Sequence, residues 1–422
     1  MSFLSAEIRS IRSSTLAHNA GWMLVGYGFN LLIQGAYFIL LARLLGATEY
    51  GVFAGALALV SLATPYSSVG SGLVFMRHVS SNAENFPIYW GNVLLATLSA
   101  GILTTGLLAL AAPHLLNSES ASIVLAVALG ECIFRQLVTC IGQMFQTFEQ
   151  LRMTAAVASL SSFLRLVAVV SLTLMLHHAS ASQWALISLL ACVLAALGGS
   201  AIVIARHGRP RFQPRLLLTR LGEGLNFSVA ASSQSAYNDI DKAMLSHYGM
   251  NVANGIYTLA YRIVDLATVP VTALDAAALP HYFRKRQEGL AAARSLSVRL
   301  AWRAALVGAL TSGCMFAAAP LIPYVVGKEF GESVVAFRWL CAIPVCRGLH
   351  QLTGSAITGL GFQRYRTIVQ VAAAAFNFGL SLWLIPRYGW MGAAWASLAT
   401  EGSLVVASFT ILGSLQRTAL EA

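Results

Sequence analysis

Charged residues are scarce in this sequence: Asp, Glu, Lys and Arg make up only 10% of 422 residues. A soluble protein of this length needs a charged surface, so the composition excludes soluble enzymes and soluble DNA-binding proteins. Cysteine is scarce too, with six residues, no CxxC pair and no histidine at a metal-ligand spacing. We therefore interpret the cysteines as packing residues and expect neither a metal nor a cofactor.

Apolar residues dominate the chain. Hydrophobic residues make up 57% of it, the mean hydropathy is +0.70, and apolar runs longer than about 20 residues recur from end to end. A transmembrane barrel would show alternating segments of about ten residues instead. The pattern predicts an all-α polytopic membrane protein. With Gly, Pro and charge clusters as boundaries, twelve transmembrane helices are predicted near 19–43, 50–75, 88–112, 121–147, 153–177, 183–206, 223–248, 252–280, 297–324, 332–360, 366–386 and 391–414.

Basic residues lie mainly on one side of the predicted membrane. The chain has 27 Lys and Arg against 16 Asp and Glu, a formal charge of +11. If the N-terminus is cytoplasmic, 17 basic residues fall in inner segments and three in outer segments. This asymmetry predicts that both termini are cytoplasmic. The same excess of basic residues on the cytoplasmic side accounts for the basic segments 206–215 and 284–286. This explanation is simpler than binding to nucleic acid or to anionic lipid.

The sequence contains an internal duplication. GVFAGALALVSLAT (51–64) aligns with GIYTLAYRIVDLAT (255–268) at an offset of 204 residues, with six of fourteen positions identical. Span 2 thus corresponds to span 8, and an even number of six spans gives both halves the same membrane orientation. We predict two six-helix lobes related by a parallel repeat around a central cavity. The lobes are 1–206 and 223–422, joined by a cytoplasmic basic linker at 207–222.

Proline follows both copies of the repeat at a similar depth, as Pro65 and Pro270. These residues could act as hinges between inward-open and outward-open states. They could equally reflect the ordinary frequency of proline in membrane helices. The sequence leaves both interpretations open.

Thirteen charged residues fall inside the predicted spans, where a lipid-facing charge costs about 2.5–3.5 kcal/mol. Helical projection groups polar side chains on one face of several spans. These faces hold Asn30 and Gln34 on span 1; Glu131, Arg135, Gln136, Thr139, Gln143 and Gln146 on span 4; Gln234, Asn238, Asp239, Asp241 and Lys242 on span 7; and Tyr257, Tyr261, Arg262, Asp265, Thr268 and Asp275 on span 8. The faces indicate a water-filled cavity for a hydroxyl-rich, anionic ligand. The alternative is that Glu131–Arg135, Asp239–Lys242 and Arg262–Asp265 are neutralised pairs that only fix helix packing.

Four segments stand out as a group: LARLLGATEYGVFAGALALVSL (41–62), IDKAMLSHYGMNVANGIYTLAYRI (240–263), GKEF (327–330) and GFQRYR (361–366). They resemble the O-antigen type polysaccharide flippases of the multidrug/oligosaccharidyl-lipid/polysaccharide exporter superfamily. The resemblance extends from about residue 15 to 415 and is most specific at Asp241, Lys242, Gly255, Tyr257, Ala260, Tyr261 and Arg262.

The resemblance implies twelve helices in two lobes, with a cavity lined mainly by spans 1, 2, 7 and 8. It implies a flippase that moves undecaprenyl-pyrophosphate-linked oligosaccharide from the cytoplasmic to the periplasmic leaflet of the bacterial inner membrane, for O-antigen, capsule or exopolysaccharide assembly. Its partners would be that substrate, membrane lipids and a polysaccharide polymerase. No catalytic residue is expected.

Candidate site residues follow from the polar faces. Arginine can grip pyrophosphate through forked, charge-assisted hydrogen bonds. The predicted cavity residues are Asn30, Gln34, Arg135, Gln234, Asn238, Lys242, Tyr257, Tyr261 and Arg262. Candidates for coupling to H⁺ or Na⁺ are Glu131, Asp239, Asp241 and Asp265. Asp241 is favoured, against the alternative that it merely offsets the charge of Lys242.

Three other functions compete with this one. A multidrug cation antiporter of the same superfamily would need an aromatic, acid-rich cavity. A peptidoglycan-precursor flippase ranks lower because twelve rather than fourteen spans are predicted. A membrane-bound glycosyltransferase or phosphotransferase would need carboxylates or histidines that converge at an aqueous surface, and the sequence shows no such set.

Overall fold

The computed structural model describes the backbone of residues 2–272, 274, 275, 278, 282 and 290–421. It describes the side chains of residues 28, 30–225, 227–229, 231–272, 274, 275, 278, 282 and 295–414. The predicted basic segment 284–286 and the side chains of Arg9 and Arg12 lie outside the described residues, as does part of the end of span 8.

Helices account for the regular secondary structure of the described residues. The helices are α1 Ser2–Ala63, α2 Ser71–Val79, α3 Phe86–Leu115, α4 Ser118–Ala128, α5 Gln136–Thr147, α6 Leu151–Met175, α7 Ala181–His207, α8 Pro214–His247, α9 Asn251–Ala267, α10 Leu290–Ala318, α11 Ile322–Val326, α12 Ser333–Leu340, α13 Ile343–Gly359, α14 Gln363–Tyr388 and α15 Trp390–Glu421. A π-helical turn, Leu129–Arg135, joins α4 to α5. Short 3₁₀ helices occupy Thr64–Tyr66, Ala83–Asn85, Ala319–Leu321 and Lys328–Phe330.

The prediction of an all-α polytopic membrane protein is confirmed, and the described residues of the twelve predicted spans lie mainly in helices. Among the described residues, eight helical stretches are long and apolar enough to cross a membrane, and they cover nine of the spans. The other three are spans 7, 8 and 10. The main helices of spans 8 and 10, α9 and α13, have 17 residues each. Span 7 lies in α8, which carries Asp239, Asp241 and Lys242. These three spans supply most of the buried ionic contacts described below.

Spans 1 and 2 form one long helix with a kink at Gly46, where φ is +70°. A residue with a side chain rarely adopts this left-handed conformation, so glycine suits the position. The Glu329 carboxylate accepts a hydrogen bond from the backbone N–H of Ala47 at 3.3 Å. It thereby satisfies an amide that the kink removes from the helical ladder. Phe330 packs edge-on against Tyr50 at 6.3 Å. The GKEF segment therefore holds the kink between spans 1 and 2.

Span 2 was predicted as one continuous helix, but in the structure it is broken. Helix α1 ends at Ala63, a 3₁₀ turn contains Pro65, and the chain resumes helix at Ser71. The proline ring removes a backbone donor and ends the helical ladder. Val69 and Gly70 both have positive φ, at 49° and 61°. This conformation is unusual for a β-branched residue such as Val69, so the break stores backbone strain.

The helices form two compact units. The first comprises Met1–Leu41, Ala63–Ala111 and Ile123–Val229, and the second comprises Ala42–Leu62, Ala112–Ser122 and Ala230–Ala422. The first unit has a core that includes Phe75, Trp90 and Phe145. The second has a core that includes Tyr282 and Leu352. The lobe boundaries predicted from the sequence stay a prediction.

Two glycines allow α1 and α9 to cross closely inside the second unit. A Cβ atom built on Gly51 would lie 1.8 Å from the carbonyl oxygen of Asn251. A Cβ atom built on Gly255 would lie 2.0 Å from the carbonyl oxygen of Ala47. Both pairs are related by the repeat offset, since Ala47 corresponds to Asn251 and Gly51 to Gly255. Equivalent residues of the duplication thus meet each other reciprocally, which supports the alignment from which the repeat was predicted.

Candidate functional site

The π-helical turn Leu129–Arg135 brings three charged side chains together in the first unit. One carboxylate oxygen of Glu131 lies 3.2 Å from Arg135 Nε, and the other accepts a hydrogen bond from Arg165 on α6. The side chain of Arg165 is only 10% exposed, whereas that of Arg135 is 46% exposed. π-helical turns are rare and occur often at functional sites. The arrangement anchors Arg165 in the interior and leaves Arg135 accessible.

A cavity of about 370 Å³ opens beside these arginines, within the first unit. Its walls come from α1, from the π turn and α5, and from α6. The lining residues are Asn30, Gln34, Arg135, Val138, Thr139, Gly142, Gln143, Gln146, Thr154, Val157, Ala158, Ser161, Ser162 and Arg165. Amides, hydroxyls and two guanidinium groups form its polar surface, and no aromatic ring or carboxylate is among these residues. Such a surface suits a hydroxylated, negatively charged ligand.

One arginine that lines the cavity has a buried N–H group without a hydrogen-bond partner among the described residues. It is the Nε–H of Arg165, which lines the cavity. A buried donor left unpaired costs about 1–3 kcal/mol, more when the group is charged. Glu131 offsets one of the two arginine charges, so the three side chains together carry one net positive charge. An anionic group in this cavity would offset this charge.

Lys242 lies in a different cluster, inside the second unit. Its ammonium is 3.2 Å from Asp239 and 3.3 Å from Asp241, and it also donates to the carbonyl oxygen of Asn238. The ring centroid of Tyr261 lies 4.0 Å away, within cation–π range. The lysine side chain is only 2% exposed. These contacts match the interpretation of Lys242 as a member of a neutralised packing cluster.

Asp241 is enclosed more completely than Lys242. Its side chain has no exposed surface, and it accepts hydrogen bonds from the Tyr257 hydroxyl and, at 2.9 Å, from the Ser397 hydroxyl. The backbone N–H of Lys242 donates to its second oxygen at 2.8 Å. Both oxygens of this carboxylate therefore have hydrogen-bond donors.

Arg347 on α13 is the hub of a further buried network in the second unit. Its Nε donates to Glu401 at 3.0 Å, and its Nη1 donates to Asp265 at 2.8 Å. Its Nη2 donates to the Tyr261 hydroxyl at 2.9 Å and to the Asn238 side chain at 3.2 Å. A planar guanidinium suits this arrangement because its donors are fixed in a fork. One side chain thereby links helices α8, α9, α13 and α15.

The structure divides the predicted site residues between several places. Asn30, Gln34 and Arg135 line the cavity of the first unit, with Glu131 beside them. Gln234 lines another cavity, in the second unit. The cluster around Lys242 gathers Asn238, Asp239, Asp241, Tyr257 and Tyr261. Arg262 and Asp265 form a looser pair at 3.7 Å. The grouping of Arg135 with Lys242 and Arg262 in one basic cavity stays a prediction.

Sequence reasoning did not assign a role to Arg165, Arg347 or Glu401. Each was visible as a charge inside an apolar span, which marks a residue that needs a partner. Their partners are far away in the sequence, however: Arg165 is 34 residues from Glu131, and Arg347 is 54 residues from Glu401. Helical periodicity relates only neighbours on one helix. It could not find these pairs.

A model of the polysaccharide biosynthesis protein family matches residues 16–285, which is more than half of the chain. The protein belongs to this family. The match runs from within α1 through α9, and thus covers both the cavity of the first unit and the cluster around Lys242. No curated protein sequence matches the chain.

Solved transporters share the fold of this family member at low sequence identity. A multidrug resistance MATE family transporter of the MOP superfamily, in an inward-facing conformation, has a TM-score of 0.75 and 15% identity, covering 94% of this chain and 99% of that chain. The lipid II flippase MurJ, in an inward closed conformation, has a TM-score of 0.75 and 12% identity, covering 92% and 87%. A MOP superfamily transporter from Pyrococcus furiosus has a TM-score of 0.62 and 16% identity, covering 95% of each chain. The chain therefore has the fold of the MOP superfamily transporters.

Proposed function

We propose that the protein is a flippase for undecaprenyl-pyrophosphate-linked oligosaccharide. It would move this lipid from the cytoplasmic to the periplasmic leaflet of a bacterial inner membrane by alternating access. The observation that carries the proposal is the cavity of the first unit, where an accessible arginine and a second, buried arginine stand among amides and hydroxyls. The family match supports the same pathway.

The chemistry of this cavity fits the headgroup of such a lipid. Sugars present many hydroxyls, and the cavity offers complementary groups on Asn30, Gln34, Gln143, Ser161 and Ser162. Pyrophosphate presents oxygens that guanidinium groups bind in pairs. A volume of about 370 Å³ lies in the range of small-molecule sites. The cavity would hold the headgroup while the polyprenyl tail stays in the bilayer.

Arg135 provides the test of this proposal. We expect Arg135→Ala to lower flipping of the lipid-linked oligosaccharide in proteoliposomes about 10- to 100-fold, because a charge-assisted hydrogen bond contributes about 1.5–3 kcal/mol. Arg135→Lys should restore part of the rate, since lysine keeps the charge but lacks the fork. Arg152→Ala, at an exposed arginine of the same unit, is the matched control. A rate in Arg135→Ala equal to that of the control would reject the proposal.

The cavity does not favour a multidrug cation antiporter. A cationic drug needs carboxylates and aromatic rings, and the lining residues include neither. Glu131, which contacts the two arginines of the lining, is held by both of them. A peptidoglycan-precursor flippase would handle similar headgroup chemistry. Proteoliposomes loaded with lipid II in place of the oligosaccharide lipid would distinguish that function.

Outward transport of this lipid needs no coupling ion in principle, because the membrane potential can drive it. A pyrophosphate headgroup carries about two negative charges, and an inside-negative potential of about 100 mV favours outward movement by about 2.3 kcal/mol per charge. Of the coupling candidates predicted from the sequence, Asp239 and Asp241 contact Lys242, Asp265 contacts Arg347, and Glu131 contacts Arg165. These contacts favour a charge-offsetting role for Asp241 over ion coupling.

The membrane orientation can be tested independently of transport. We expect single cysteine substitutions at Asn117 and Lys328 to react with an impermeant thiol reagent added from the periplasm, and substitutions at Arg209 and Arg286 to be protected. The reason is the excess of basic residues in the inner segments. Labelling at 209 or 286 instead would reverse the proposed topology, with both termini cytoplasmic. A polysaccharide polymerase, as the enzyme that would consume the flipped lipid, is the protein partner that we propose.

A further inference from the structure

A second polar cavity, of about 140 Å³, lies inside the second unit. A water-sized atom needs about 10–15 Å³ of such space, so the cavity has room for about ten non-hydrogen atoms, roughly one sugar ring with its hydroxyls. Its polar lining includes Gln234 on α8, Gln351 on α13, Arg366 and Gln370 on α14, and Ser408 on α15. The headgroup site proposed above makes no use of this cavity.

The chain folds in the same way before α6 in the first unit and before α14 in the second. Glu149 has a φ of 56° and Gly361 a φ of 93°, and each helix begins two residues later. After each of these residues, the next N–H donates to the carbonyl oxygen five residues before it, at 2.9 Å in the first unit and 3.0 Å in the second. Glu149 and Gly361 are 212 residues apart. This offset therefore relates spans 4 and 5 to spans 10 and 11, with eight residues inserted relative to the 204 of spans 2 and 8.

The two cavities occupy equivalent places in the two copies of the repeat. Seven of the 13 residues that line the second cavity have equivalents that line the first, at an offset of 204 for span 7 and of 212 for spans 10 and 11. Three of these positions carry glutamine in the second cavity: Gln234 is equivalent to Asn30, Gln351 to Thr139 and Gln370 to Ala158. A cavity at this place is thus a property of the repeat, and each unit has one.

The arginines of the first cavity have no counterpart in the described lining of the second. Arg135 and Arg165 are equivalent to Arg347 and Asn377, and neither of these two lines the second cavity. Arg347 directs its donors into the buried network described above, and Asn377 donates to the Thr400 hydroxyl at 3.0 Å. The net positive charge that suits the first cavity to pyrophosphate is therefore missing from the second.

The described lining of the second cavity suits an uncharged ligand that is rich in hydroxyls. Its formally charged residues are Arg366 and Asp275, whose charges cancel, so an ion attracted by one is repelled by the other. Within the described residues, no hydrogen bond occupies the side-chain amides of Gln234, Gln351 and Gln370. An amide offers donors and an acceptor, and each sugar hydroxyl is itself a donor and an acceptor.

We propose that the cavity of the second unit binds one uncharged sugar residue of the lipid-linked oligosaccharide. The amides of Gln351 and Gln370 and the guanidinium of Arg366 hydrogen-bond its hydroxyls, and the ring of Tyr237 supplies an apolar surface for its C–H groups. The inference rests on the proposed function, because it assigns a site to a second part of the same substrate. The duplicated cavities then differ in ligand chemistry, with charged pyrophosphate in the first unit and neutral sugar in the second.

A protection experiment tests the cavity without transport. Thr272 lines the cavity and is exposed, so Thr272→Cys places a thiol there. The purified protein in lipid nanodiscs is treated with a small methanethiosulfonate reagent, and mass spectrometry measures labelling at each cysteine. The probes are glucose, galactose and N-acetylglucosamine. We expect at least one of them to slow labelling at position 272 but not at Cys314, an exposed native cysteine outside the cavity.

Two substitutions in the Thr272→Cys protein identify the groups that bind the sugar. Gln351→Thr with Gln370→Ala should raise the sugar concentration needed for protection about tenfold, because two hydrogen-bonding amides are lost. Both substitutions install residues that the first cavity has at the equivalent positions. Gln363→Leu, at an exposed glutamine of α14 outside the cavity, is the matched control and should leave protection unchanged. The proposal is overturned if none of the three sugars protects position 272, or if the double variant is protected as well as the control.

Transport measurements complete the test. In proteoliposomes we expect the Gln351→Thr/Gln370→Ala protein to flip the oligosaccharide lipid about tenfold more slowly than the wild type, and Gln363→Leu to flip it at the wild-type rate. Equal rates of the double variant and the wild type would overturn the role of the cavity in transport. If the wild type flips no oligosaccharide lipid, the proposed function fails. The protection experiment would still decide whether the cavity binds sugar.

Discussion

Replacing Arg347 with leucine is expected to lower the free energy of unfolding by about 3–5 kcal/mol. The substitution removes the cation that holds Glu401 and Asp265, and leaves the buried Glu401 and the partly exposed Asp265 without it. The same change removes the hydrogen bonds that Arg347 donates to the Tyr261 hydroxyl and to the Asn238 side chain. Thermal unfolding of the purified protein in detergent should show a markedly lower Tm and a reduced yield of folded protein.

Two controls separate this effect from a general loss of positive charge. Arg364→Leu removes an exposed arginine of the same unit and should leave the Tm close to that of the wild type. Adding Glu401→Gln to Arg347→Leu should recover part of the loss, because it removes one of the unpaired charges. If Arg347→Leu unfolds at the same temperature as Arg364→Leu, the network contributes nothing to stability.

Gly255→Leu is expected to destabilise the protein by more than about 3 kcal/mol, because the crossing of α1 and α9 has no space for a side chain. The first side-chain carbon would already lie 2.0 Å from the carbonyl oxygen of Ala47 and 3.2 Å from the backbone nitrogen of Gly51. Backbone atoms cannot rotate away as a flexible side chain can. The two helices would have to separate along their length, with loss of the buried Asn254 bond to the Gly51 carbonyl.

The matched control for this variant is Gly402→Leu. Gly402 also lies within a helix, and a Cβ atom there would meet nothing within 4 Å. Leucine has a higher helix propensity than glycine, so this control should be neutral or slightly stabilising. Unfolding temperatures of the two variants, measured side by side, give the comparison. Equal stability of the two would mean that the close crossing is not required.

The sequence predicted the helices well because membrane spans are marked by long apolar runs and by Gly, Pro and charged boundaries. It predicted less about how each helix is rotated about its own axis. A projection at 100° per residue placed Glu131, Arg135 and Gln143 on one face of span 4, but the π-helical turn changes the angular relation of residues before and after it. Arg135, Thr139, Gln143 and Gln146 do line one cavity. No pattern in the sequence marks the extra width of the turn.

The partners of the charged residues were the least predictable feature. The pairs Glu131–Arg135, Asp239–Lys242 and Arg262–Asp265 were visible as helical neighbours, and all three occur in the structure. Their second partners come from other helices, as Arg165 does for Glu131. Asp275 was assigned only to a polar face, since neither periodicity nor spacing shows that the Ser355 hydroxyl, 80 residues away, donates to it. Tertiary packing alone decides this.

The reciprocal crossing at Gly51 and Gly255 has the form of an isologous interface. In such an interface residue i of one copy meets residue j of the other, and residue j of the first meets residue i of the second, as a two-fold axis requires. Ala47 and Gly51 meet Asn251 and Gly255 in this way although they belong to one chain. A half-length ancestor that paired with itself through this surface would have formed a closed, symmetric dimer. Fusion of two such copies into one chain would let each change independently, as the difference between Ala47 and its equivalent Asn251 illustrates.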